Sequence, residues 1–121
     1  MSSEASDTIR LTGTARERHE QMDPYWIAII NELPIGAHGY NKEEAVAESV
    51  KALSTYMKAN NILGQIGSVM ERLGYSGELG PGQYYKRFTT AYQQFITGPG
   101  EVIWEDPSAS GEQQFEITLI I

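Results

Sequence analysis

His19 and His38 are the only histidines, and no cysteine accompanies them, so any acid–base or metal chemistry must come from imidazole and carboxylate alone. No carboxylates stand at spacings that would complete a ligand set with either histidine, and no metal site is expected. No serine, histidine and acid form a recognisable nucleophile motif. Neither glycine-rich stretch leads into a helix bearing a phosphate-loop lysine. The residues thus predict no catalytic group, no cofactor and no enzyme. Glu43 and Glu44 fall in the first turn of an expected helix, where the helix dipole favours a carboxylate without any chemistry.

Binding chemistry has more material. Arg10, Arg16 and Arg18 lie on one side of an alternating segment, where they could touch phosphate or an acidic partner, or simply face solvent. Tyr84, Tyr85, Phe88, Tyr92 and Phe95 are interleaved with Lys86 and Arg87. Rings stack on bases and cations hold phosphate, so Tyr84, Tyr85, Arg87 and Phe88 form a candidate ligand-stacking set. The same spacing fits the core stripe of a helix, which is the favoured expectation.

Charge narrows the partner. Sixteen acidic against nine basic residues give a net charge of -7 and a pI near 4.7, a field that repels nucleic acid and draws in a basic protein. There is no apolar run near the ~20 residues needed to span a bilayer, and residues 1–7 lack the pattern of a secretory leader. A cytoplasmic protein without membrane attachment is expected, and the lack of cysteine suits a reducing compartment.

These side chains need elements to position them. From Thr8 the chain alternates, with Ile9, Leu11, Gly13 and Ala15 on one side, which predicts a half-buried strand. Residues 25–30 are aromatic and β-branched without clean alternation, as expected of a central strand or one covered on both faces. Leu33-Pro34 interrupts, and residues 35–40 read as a short strand bracketed by glycines. Asn41 caps a helix whose apolar stripe is Val46, Val50, Leu53 and Met57, and Asn60-Asn61 is expected to stop it. A shorter helix carrying Ile62, Ile66, Val69, Met70 and Leu73 should close at Gly74. Residues 76–82 form a loop, and residues 84–96 lean to helix over strand. Residues 102–105 and 114–121 predict a closing hairpin, its last strand either buried or a pairing edge that builds a dimer. The whole is expected to be one α+β domain: an antiparallel sheet of three N-terminal strands plus a C-terminal hairpin, packed by an amphipathic helix.

The order of two strands, a Leu-Pro loop, a short strand and a capped helix resembles the HicB-like antitoxin domain of HicA/HicB toxin–antitoxin pairs. Trp26, Ala28, Leu33, Pro34, Gly39, Asn41, Glu43, Glu44 and Ala45 carry the resemblance, which covers residues 9–57 and leaves about 62–121 as a C-terminal extension. Ile35 stands where the family turn has glycine, and the loop to Gly39 is one residue shorter. The resemblance implies an antitoxin that covers a small basic HicA-type ribonuclease. Arg10, Arg16, Trp26, His38 and Tyr40 are the residues expected to meet that partner, and a homodimer or higher homo-oligomer is expected. Many such antitoxins also carry a DNA-binding segment, but no second recognition helix with basic residues is visible here. Two alternatives remain. The chain could be an orphan or phage-borne HicB-like domain that sequesters a nucleotide or blocks a defence protein, or a structural oligomer-former built on its apolar tail.

Overall fold

The computed structural model describes residues 7–19, 23–98 and 101–121. In chain order its elements are β1 (Thr8–Arg18), β2 (Tyr25–Ile30), β3 (Ile35–Gly39), α1 (Lys42–Ile62), α2 (Ile66–Arg72), α3 (Gln83–Thr97), β4 (Val102–Trp104) and β5 (Gln113–Ile120). The strands make one antiparallel sheet in the order β3-β2-β1-β5-β4. The fold is therefore α+β, with the three N-terminal strands and the C-terminal hairpin both present as expected. No described helix is long and apolar enough to cross a membrane.

The C-terminal strand does not extend a finished domain. β5 lies between β1 and β4, and Ile121 N donates to the Asp7 carbonyl at 2.7 Å. Of the two alternatives for this apolar tail, the buried strand is the one realised: Phe115, Ile117 and Leu119 are buried, and β4 pairs with β5 over Phe115, Glu116 and Ile117.

The chain divides into two compact units, one drawing on Leu11–Leu53 and Val102–Ile117, the other on Met1–Arg10, Ser54–Glu101 and Thr118–Ile121. The division does not fall at residue 62, since each unit takes segments from both sides of it.

In the strand-rich unit, alternation decides what is buried. Leu11 and Ala15 of β1, Ala28 and Ile30 of β2 and Phe115 and Ile117 of β5 are buried, as are Val46, Val50 and Leu53 along one stripe of α1. Gly13 is small because Phe115 requires it: a Cβ there would run into the Phe115 ring and stand 2.6 Å from the Ile29 carbonyl oxygen. Gly39 serves the start of α1 in the same way, since a Cβ would stand 2.6 Å from the Ala45 amide nitrogen. Asn41 caps the helix as expected, its Oδ1 accepting from the Glu44 amide at 2.8 Å. Where β2 ends, the Glu32 carboxylate continues the hydrogen bonding beside β1, accepting from Thr12 N at 2.7 Å and from Thr12 Oγ1 at 2.5 Å.

In the helical unit, the core contains Met57 from α1, Ile66, Val69 and Met70 from α2, Leu73 and Tyr75 beyond it, and Phe88 and Ala91 from α3. Segment 83–97 is helix, the favoured expectation. Helix α1 runs past the expected stop at Asn60-Asn61 to Ile62, because the Asn60 amide donates back to the Tyr56 carbonyl at 2.9 Å and so joins the helix rather than ending it. The turn comes at Gly64, whose φ of +72° suits glycine; α2 consequently starts at Ile66, and Ile62 and Leu63 are exposed. Gly74, with φ of +100°, follows the end of α2 as expected.

Candidate functional site

Strand register decides which of the expected partner-binding residues share a surface. Arg16 of β1 stands opposite Ile27 of β2, which stands opposite His38 of β3, so all three lie in one row across the sheet. This row belongs to the open face, where Arg16, Ile29, His38, Ile103 and Gln114 are exposed. Tyr25, on the same side of β2, meets the His38 ring edge-on, with centroids 6.4 Å apart. Arg16 Nη1 lies 3.8 Å from Glu112 Oε1, with both side chains about half exposed, an ion pair of small energetic weight.

Trp26 departs from the expected grouping. It is half-buried and shares the parity of buried Ala28 and Ile30, so it stands on the opposite side of the sheet from Tyr25, Ile27, Arg16 and His38. The unalternating composition of β2 concealed this: Tyr25, Ile27 and Ile29 are apolar on the open side as well, and Ile29 is 43 % exposed. Tyr40, 86 % exposed, follows the end of β3 and is free to meet a partner. Arg10 is exposed but belongs to the other unit.

Among the described residues, the one ring contact of His38 is that with Tyr25. His19 bonds Glu17 Oε1 at 2.6 Å, but two residues apart on an exposed segment they form a local pair. Among the described residues no cluster of His, Asp and Glu could hold a metal ion.

The aromatic segment of α3 is mostly structural. Phe88 is fully buried, so it cannot stack on a ligand. Tyr84 meets Tyr75 edge-on at 6.1 Å, lies against Gly67 and accepts a hydrogen bond from the Leu79 amide at 3.3 Å, so its ring and hydroxyl are both engaged. Tyr85 is half-buried and Arg87 exposed, and two such residues on one helix do not enclose a nucleotide.

Pairing exposes a feature that composition could not reveal. β3 is an edge strand, and exposed Glu43 and Glu44 follow closely on its end at Gly39. Lys42, the residue before them in the chain, is engaged elsewhere: its Nζ donates to Gln113 Oε1 at 3.0 Å and lies 4.5 Å from the Trp104 ring centroid. Comparison with protein-family models, with curated proteins and with solved structures finds no match.

Proposed function

We propose that this protein is a non-catalytic binding module that captures and masks a small basic protein, in the manner of a HicB-like antitoxin covering a ribonuclease toxin. The observation that carries the reading is the run from β2 to α1: a Leu-Pro turn leads into β3, Gly39 admits the first turn of α1 against the strand, and Asn41 caps that turn. Among the positions on which the resemblance to that family rests, Gly39 and Asn41 have a structural job here, and Ala28, Leu33 and Ala45 are buried. A net charge of -7 adds the electrostatics, steering the chain toward a cationic partner and away from nucleic acid.

Co-expression with the small basic protein encoded in the adjacent reading frame tests this. A stable complex that weakens as ionic strength rises, and in which the partner's ribonuclease activity is suppressed, is the expected result. If the neighbour is captured at no salt concentration, the antitoxin reading is wrong. Nucleotide sequestration is the weaker reading, since Phe88 is buried and the Tyr84 ring and hydroxyl are engaged by Tyr75 and the Leu79 amide.

A further inference from the structure

The two edges of the sheet are not equally protected. β4 is three residues long, flanked by Glu101 and Glu105, with Pro107 just beyond, the usual means of blunting an edge. β3 has Pro34 before it and Glu43 and Glu44 after it, but no such residue within the strand. Its five residues, Ile35, Gly36, Ala37, His38 and Gly39, include no acid, lysine, arginine or proline, and all five pair in unbroken register with β2, so no bulge turns the strand away.

Hydrogen bonding fixes which groups of β3 are open. Asn31 N donates to Thr12 O at 2.8 Å, so the backbone groups of Asn31, Ile29 and Ile27 point toward β1, and those of Ile30, Ala28 and Trp26 point toward β3. Their opposite numbers, Ile35, Ala37 and Gly39, turn inward. The N–H and C=O groups of Gly36 and His38 therefore point outward from the sheet, and β2 is the only described strand that pairs with β3.

We propose that the β3 edge is the docking site for the partner, which adds a positively charged extended segment to the five-stranded sheet as a further strand hydrogen-bonded to Gly36 and His38. This rests on the reading of the partner as a basic protein. The unpaired amides demand an extended backbone. Glu43 and Glu44, next to the Gly39 end, set its charge, while the Lys42 ammonium is engaged by Trp104 and Gln113. Ile29 supplies an apolar shelf: a Cβ on Gly36 would stand 3.3 Å from Ile29 Cγ1, so with glycine there the shelf is open to a side chain of the incoming strand. A second copy of this chain fits poorly, because it would bring a further -7 charge to an edge already flanked by acids.

The experiment compares the full chain with His38→Pro, which removes one outward N–H without breaking the β2–β3 ladder, and with His38→Thr, which keeps it. Gly36→Pro is a second edge variant should His38→Pro fail to fold. Two probes are used: the basic neighbouring protein, and a nine-residue peptide of alternating valine and threonine with an arginine at each end. Threonine reports what loss of the imidazole alone does, and proline should weaken both interactions by about tenfold or more beyond threonine. Binding should also slow hydrogen exchange at the Gly36 and His38 amides, and an acid-ended peptide should bind about tenfold more weakly. Equal binding by the proline variants, equal loss with threonine, protection at β4 instead, or no peptide binding by the wild-type chain overturns the proposal. Neighbour binding that ignores proline refutes the edge and leaves the antitoxin reading standing. Peptide binding without neighbour binding does the reverse.

Discussion

The ammonium of Lys42 sits 4.5 Å from the centroid of the Trp104 ring, linking the first residue of α1 to the last residue of β4. Gln113 extends the link: its Oε1 accepts from Lys42 Nζ, and its Nε2 donates to the Glu105 carbonyl at 2.8 Å. The Trp104 ring also packs on Phe115, with centroids 5.5 Å apart. A single cation thus ties the capped end of the helix to the C-terminal hairpin, within the strand-rich unit.

Lys42→Met keeps most of the aliphatic stem and removes the ammonium, and with it both the ring contact and the donor to Gln113, so it should destabilise the protein by about 1–2 kcal/mol. A double-mutant cycle with Trp104→Leu, followed by urea denaturation, should show coupling of the same order. Strict additivity would mean that the ammonium contributes nothing through the ring.

Asn41→Ala should cost about 1 kcal/mol, because the Glu44 amide would lose its acceptor, whereas Asn41→Asp should be nearly neutral. Thermal melts of the two variants check this. Equal melting temperatures would show that water replaces the side chain at no cost.

Much of the fold can be read from local pattern because local physics determines it. The alternation through Ile9, Leu11, Gly13 and Ala15, the Asn41 cap and the stripe from Val46 to Met57 all follow from residue spacing and reappear in the structure. Features that depend on pairing were hidden. Trp26 could be assigned to a face only once the β2 register was known. That β5 enters between β1 and β4 is a matter of topology, which no local window contains. Asn60 looked like a stop because asparagine competes for backbone hydrogen bonds, but here it is buried and its amide bonds back to Tyr56. The candidate site was legible in part: His38 and Arg16 share a row, but the open β3 edge is a property of strand order.

Gly39 and Gly80 make a matched pair of probes. At Gly39 a methyl group meets backbone, the Ala45 nitrogen at 2.6 Å and the Glu44 carbonyl carbon at 2.9 Å, so Gly39→Ala should cost about 1–3 kcal/mol as α1 is pushed off the strand. At Gly80 nothing lies within 4 Å and φ is not positive, so Gly80→Ala should be neutral or stabilise by up to about 1 kcal/mol through the unfolded chain. Urea midpoints measure both. Similar losses at the two sites would show that the approach at Gly39 relaxes freely.

Phe88 and Arg87 separate the structural from the ligand-stacking role of α3. Phe88 is fully buried, and Phe88→Ala should destabilise by about 3–5 kcal/mol, whereas exposed Arg87→Ala should change stability by less than about 0.5 kcal/mol. If the aromatic segment held a nucleotide, ligand binding would raise the melting temperature of the wild-type chain, and Arg87→Ala would abolish the rise. The expected outcome is no rise with any nucleoside mono-, di- or triphosphate. A saturable rise that disappears in Arg87→Ala would restore nucleotide sequestration as the function, because Arg87 and Tyr85 would then be acting at the surface that the buried Phe88 cannot reach.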